Sequence, residues 1–134
     1  MSLDRERATA FIDSYRQTWE SWDVEGLLEL FSDEAVFVDH PITQIAVGKD
    51  AVAQFLRTEQ TEQGSVSIRM GKPIIDGNHV AVEYWVTRTN GDEEATLTGC
   101  CLAQLDPTDG RCTRIHEYWF DVEGHPSPFA GWGT

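Results

Sequence analysis

Basic residues are scarce in this chain of 134 residues: ten Lys and Arg stand against 23 Asp and Glu, a formal charge of −13. The few basic side chains are scattered, so no stripe is available to neutralise phosphates, which excludes nucleic acid as a partner. An anionic membrane surface is disfavoured on the same ground. Charge of this size keeps a protein soluble and biases it against polyanions. A neutral or cationic small molecule is therefore tolerated better than a phosphorylated one.

Cysteine is sparse too. Three make an odd count without metal-site spacing. Cys100 and Cys101 are neighbours on an expected strand and point to opposite faces, so a bridge between them would be strained. Reduced thiols of a cytoplasmic protein are the expectation. No apolar run approaches transmembrane length, and the opening MSLDRERATAFIDSY lacks the apolar core of a signal peptide. A Gly-rich phosphate loop, a Ser nucleophile elbow and His-x-x-x-His or paired-Cys spacings are all missing, so no metal site is expected. Repeats, low-complexity segments and domain linkers are missing as well.

What the chain does have is apolar bulk. An apolar content of 40% with five Trp and six Phe describes one folded domain of ordinary size, not a disordered segment. Ala8, Phe11, Ile12, Tyr15, Trp19 and Trp22 recur at three- and four-residue spacing, which predicts a helix over roughly residues 4 to 22. Asp23 can cap a second short helix with Val24, Leu27, Leu28 and Phe31 facing inward, closed by Ser32-Asp33. Residues 35–40 read as a short strand stopped by Pro41, and residues 42–47 as another before Gly48. A third helix runs from Lys49 to just before Gly64, with Ala51, Val52, Phe55 and Leu56 on one side.

After Gly64 the period changes from helical to alternating. Val66, Ile68 and Met70 alternate with polar residues. Turn signals at Gly77-Asn78, Asn90-Gly91 and Asp106-Pro107-Thr108-Asp109-Gly110 then separate three further long strands. Helices first and strands afterwards argue for an α+β fold, with a curved antiparallel sheet wrapped around about three N-terminal helices. Residues 1–63 form the mostly helical wall, 64–122 the antiparallel meander, and 123–134 a tail that Phe129 and Trp132 should fold back onto the domain. Both faces of the last strands carry apolar residues, which predicts a homodimer through the outer sheet face.

The last strand, GRCTRIHEYWFD, is the densest run of reactive side chains. Pleating puts Ile115, Glu117, Trp119 and Asp121 on one face and His116, Tyr118 and Phe120 on the other. That strand and the stretch SWDVEGLLELFSDEAVFVDHPITQIAVGKDAVAQFL together resemble the SnoaL-like proteins of the nuclear transport factor 2-like superfamily, which includes polyketide cyclases and steroid isomerases. The resemblance covers nearly the whole chain in element order. It implies a cone with one central apolar pocket and homodimers through the outer sheet face. It also implies chemistry by carboxylates or a His with no metal and no organic cofactor.

By position, the resemblance puts the isomerases' general base at His40, with Asp39 one step earlier, and the cyclases' catalytic carboxylate at Asp121. The isomerases' second carboxylate falls near Cys101, a departure that argues against the familiar pair. A carboxylate beside Trp119 in an apolar cavity would have a raised pKa suited to general-base work. Asp121, His40, Asp39 and Tyr15 are thus the expected catalytic residues, with Tyr15 donating to a developing enolate. Trp19, Phe37, Phe55, Trp85, Cys101, Glu117 and Trp119 are the expected substrate-binding wall.

Plainer roles compete for several of these residues. Asp121 can cap the turn at Glu123-Gly124, His40 before Pro41 suits a simple turn, and Glu117 can pair with Arg88 or Arg69. Cys101 can be no more than a small buried hydrophobe. Three functions follow: an isomerase-, cyclase-, dehydratase- or hydrolase-type acid–base enzyme acting on a neutral apolar metabolite, a non-catalytic binder of a hydrophobic ligand, or a dimeric interaction module. Convergent polar groups in an open pocket favour the first. Tryptophans plugging the cone favour the last.

Overall fold

The computed structural model describes residues 4–40 and 44–134. Helix α1 (Arg5–Ser21) starts where the Asp4 carboxylate accepts a hydrogen bond from the Arg7 N–H at 2.7 Å. It buries Ala8, Phe11, Ile12, Tyr15 and Trp19, the stripe that the sequence spacing marks out. Trp22 ends it in the left-handed region, φ 54°, with its backbone N–H donating to the Trp19 carbonyl. Helix α2 (Val24–Glu29) is capped by Asp23, whose carboxylate accepts from the Gly26 N–H at 3.0 Å.

Here the chain departs from the expectation. Phe31 does not lie on α2, which ends at Glu29 and not at Ser32-Asp33. It opens strand β1 (Phe31–Asp39), fully buried and paired with Cys112, and an irregularity in register separates it from Val36. Strand β2 (Gln44–Val47) follows; the expected strand start at residues 42–43 lies outside the described residues. Helix α3 (Lys49–Gln63) buries Val52, Ala53, Phe55, Leu56 and Gln63 and ends at Gly64, φ 71°. A Cβ on Gly64 would lie 2.5 Å from the Thr89 carbonyl oxygen, so both the backbone angle and the space demand glycine there.

The strands β3 (Ser65–Met70), β4 (Ile74–Asp76), β5 (His79–Asn90), β6 (Glu93–Leu105) and β7 (Cys112–Glu123) complete one curved, unclosed sheet of order β2-β1-β7-β6-β5-β3, with β4 also on β5. Every pairing is antiparallel except β1 with β7, which run parallel. The sheet is therefore mixed. The sequence expectation of a wholly antiparallel sheet missed this, because a short strand in the helical half carries no mark of the partner it will find. The parallel pair matters for function: it sets Asp39 beside Glu117 and brings the end of β1 to the middle of β7.

The concave face and the helices share one core. Val80, Val82, Tyr84 and Val86 of β5, Leu97, Cys101, Ala103 and Leu105 of β6, and Cys112 and Ile115 of β7 pack against the α1 and α3 stripes. Deleting a side chain such as Phe31 from this core would cost about 3–5 kcal/mol. The same parity turns Trp85 outward, which corrects its expected place in the pocket wall. Its ring meets Trp132 edge-on at 5.9 Å. The tail lies over that outer face: Trp132 is buried, the Arg69 guanidinium sits 5.2 Å from its ring, and the Lys72 N–H donates to the Gly133 carbonyl at 3.0 Å. Phe129 stays 73% exposed. Toward β6 and β7 the outer face shows Leu102, Tyr118, Phe120 and Val122. Among the described residues no helix is long and apolar enough to cross a membrane.

Candidate functional site

The cone encloses a cavity of about 40 Å³ between the sheet and helices α1 and α3. Its walls are aromatic and aliphatic, with Tyr15, Trp19, Phe37, Phe55 and Trp119 among them. Three carboxyl groups line it as well: Asp39, Glu59 and Glu117. Among the described residues, no Lys, Arg or His lines it.

Glu117 is the buried centre of the site, 4% exposed. Its position on β7 points it at the helices, and two phenols meet it there. The Tyr15 hydroxyl lies 2.5 Å from Oε1 and the Tyr84 hydroxyl 2.6 Å from Oε2. Burial pushes the Glu117 pKa up to about 8; the two phenol hydrogen bonds pull the other way, and the charge of Asp39 adds to the rise. Both tyrosines are held neutral, their pKa values pushed far up by burial and then by the Glu117 charge. The ion pair with Arg88 or Arg69 that the sequence offers for Glu117 is not formed. Arg88 belongs to Asp121 and Glu93, and Arg69 to Trp132.

Asp39 is the cross-strand neighbour of Glu117 on β1. It is half-buried, and the Trp119 indole N–H donates to its Oδ1 at 2.8 Å. Burial raises its pKa, while that hydrogen bond and the nearby His40 lower it. His40 does not line the cavity. Its Nε2 lies 2.9 Å from the Trp119 carbonyl, its ring packs 4.0 Å from the indole, and its own φ is 46°. The residue thus braces Trp119 from behind, and Asp39, not His40, turns its side chain into the pocket. Asp39 is the last residue of β1, and the left-handed backbone of His40 just beyond it turns the imidazole toward the Trp119 backbone and away from the cavity.

Asp121 has the expected parity but not the expected place. Its Oδ2 accepts from Arg88 Nη2 at 3.0 Å, and its side chain is 35% exposed. Four residues of strand separate it from Glu117, a distance of about 13 Å; its register partner Leu97 lines the cavity, but Asp121 itself does not. Cys101 is also off the lining; it is fully buried and pairs in register with Glu117. Of the expected residues, the structure brings together Asp39, Tyr15, Trp19, Phe37, Phe55, Glu117 and Trp119, and leaves out Asp121, His40, Trp85 and Cys101.

Three polar groups at the cavity were not singled out from the sequence. Tyr84 had a signal, being the hydroxyl-bearing residue on the inward parity of β5. Glu59 and Gln63 follow Phe55 at four-residue spacing on α3, so they share its stripe although they are polar. Gln63 Oε1 accepts from the Trp19 indole N–H at 3.1 Å, and its Nε2 donates to Glu59 at 2.9 Å. Burial raises the Glu59 pKa, and the Gln63 hydrogen bond opposes the rise.

A curved mixed sheet closed by three helices over such a pocket is the cone of the nuclear transport factor 2-like superfamily. Residues 12–115 match the model of the SnoaL-like domain, and the chain belongs to that family. No curated protein matches the sequence. Among solved structures, the chain is similar to SalBIII, described as an epoxide hydrolase/cyclase-like enzyme in pyran ring formation in the polyether salinomycin. The two share 20% identity over 87% of this chain and 93% of that one, with a TM-score of 0.76. It is also similar to an NTF2-like protein of unknown function from Exiguobacterium (23% identity, 82% and 98% covered, TM-score 0.72). A putative ketosteroid isomerase from Kribbella flavida is a third (22%, 96% and 88%, 0.68). At these identities the likeness speaks for the fold alone.

Proposed function

We propose that the protein is a cofactor-independent acid–base enzyme that moves a proton on a small, largely apolar carbonyl compound. The observation that carries this reading is the division of labour between two adjacent carboxyls in one apolar cavity. Glu117 is wholly buried between two phenols, and Asp39 is half-buried under an indole N–H. Paired carboxyls in unlike environments titrate apart, which supplies an acid and a base at one pH.

In this reading Glu117, its pKa held up to about 8, keeps its proton at neutral pH, and the less buried Asp39 serves as the carboxylate. A neutral carboxyl must donate its own O–H to one of the two phenol oxygens, and it accepts from the other phenol. The phenol oxygen that accepts the carboxyl's hydrogen bond then has its own O–H free to turn toward the cavity. That O–H can hold the oxygen of a carbonyl and stabilise the enolate as it forms. Asp39 takes the proton from the adjacent carbon, and the Trp119 N–H fixes the carboxylate for that attack. Ionised Glu117 would instead accept a hydrogen bond from each phenol and leave neither phenol O–H free for the ligand. An isomerase returns the proton elsewhere, while a cyclase uses the enolate as a nucleophile; SalBIII and the Kribbella protein carry names of these two kinds.

The test is deuterium incorporation. A panel of small cyclic ketones is incubated with the protein in D₂O and followed by mass spectrometry. Exchange α to the carbonyl above the buffer rate, lost in Asp39→Asn, is the expected result. Equal exchange with and without protein across the panel, combined with opening of small epoxides, would move the assignment to hydrolysis.

A further inference from the structure

Glu59 takes no part in the proton transfer described above, yet it lines the same cavity. It stands on the helix side, opposite the sheet that carries Asp39 and Glu117. Its carboxylate is anchored through Gln63, itself 9% exposed, whose other amide atom takes the Trp19 indole N–H. Trp22 completes this half of the cavity. It is held in a left-handed conformation that bulky residues seldom adopt, with its indole N–H donating to the Gly64 carbonyl at 2.8 Å. The result is a carboxylate fixed by a buried relay and framed by two anchored indoles.

The surroundings offer that carboxylate no cation within the cavity. Arg88 exerts a weak pull on Glu59, but its Nη2 is committed to Glu93 and Asp121 outside. Asp39 adds a second negative charge from the sheet side. Aromatic faces attract organic cations, and most strongly where water is excluded. Among the described residues no group of His, Cys, Asp and Glu could hold a metal ion, and flat indole walls suit an alkylated ammonium better than a bare ion.

We propose that Trp19, Trp22, Glu59 and Gln63 form a subsite for a small alkylammonium group on the ligand. The inference takes the cavity as the ligand site, as the proposed function does, but it needs no proton transfer.

The experiment is titration of the purified protein at pH 7.5 with tetramethylammonium and with tert-butanol, a neutral molecule of similar size, read by tryptophan fluorescence and calorimetry. The cation is expected to bind at least about 10-fold more tightly, the scale of a desolvated cation–π contact together with an ion pair. Glu59→Gln should bring that preference close to unity and leave tert-butanol binding unchanged. Trp22→Leu, on the half-exposed edge, should weaken the cation several-fold while Glu59 stays in place. Equal binding of the two probes, binding of neither, or a preference that survives Glu59→Gln would overturn the proposal. The two readings fail separately. Cation preference without ketone exchange removes the enzyme and keeps the subsite, and exchange without cation preference does the reverse.

Discussion

Asp39 and Glu117 stand side by side across the parallel β1–β7 pair, both turned into the cavity. Two carboxylates so placed repel, and the charge of Asp39 contributes to the raised pKa of Glu117. The pair is kept unequal by its partners: an indole N–H for Asp39 and two phenols for Glu117. In the proposed reaction that inequality makes Asp39 the base and the Glu117–phenol cluster the donor.

Asp39→Asn should lower α-proton exchange by 10²-fold or more, the scale of a lost general base, while thermal unfolding shifts little. Trp119→Phe removes the hydrogen bond that holds the Asp39 pKa down. Its acid limb should therefore move to higher pH, with a smaller loss of rate at neutral pH. A pH–rate profile checks both.

Tyr15→Phe and Tyr84→Phe each delete a hydrogen bond that favours ionised Glu117. In either variant the alkaline limb should move above the wild-type midpoint, because the remaining environment holds the proton more tightly. The variant that loses the phenol facing the ligand should also lose about 10²-fold in rate. The two single variants thus identify which tyrosine carries the released O–H.

Asp121→Asn should leave exchange unchanged. The residue pairs with Arg88 at the open end of the sheet, and exposed pairs of this kind contribute less than about 1 kcal/mol. A rate loss beyond a few-fold would return Asp121 to the site.

Folding stability should carry the Glu117 signature. Its pKa is raised on folding from 4.5 to about 8, so the folded state binds the proton more tightly than the unfolded chain does. The stabilising contribution is complete below pH 4.5 and is lost progressively as pH rises through about 8. Replacing Glu117 by Gln removes it. Denaturant titrations of wild type and Glu117→Gln should diverge across that window by on the order of 4 kcal/mol, with the Gln variant gaining at alkaline pH.

The fold was legible because its helices and strands keep clean periods. The Tyr15-Trp19 stripe follows from spacing alone; spacing also puts Ile115 and Glu117 on one face of the last strand, and the resemblance to the cone fold made that the inward face. The site was legible only in part. Parity along β7 is a local property and set Glu117, Trp119 and Asp121 on one face, but it could not say which side chains of that face reach the cavity, so Asp121 counted as a site residue. The choice between Asp39 and His40 depends on where β1 ends against β7, at the Asp39–Glu117 pair, and on the left-handed turn at His40 that follows, a pairing distant in sequence. Tyr84 and Glu59 became site residues through contacts across the cone, to Glu117 and through Gln63 to Trp19, which no window of sequence contains.

The most direct test compares the pH dependence of α-deuteration for wild type and Glu117→Gln. A Gln side chain donates to one phenol and accepts from the other, which reproduces the protonated carboxyl at every pH. The account predicts that wild-type exchange falls as pH rises through about 8 while the Gln variant stays active beyond it. A Gln variant inactive at every pH, alongside an active Asp39→Asn, would make Glu117 the base and contradict the account.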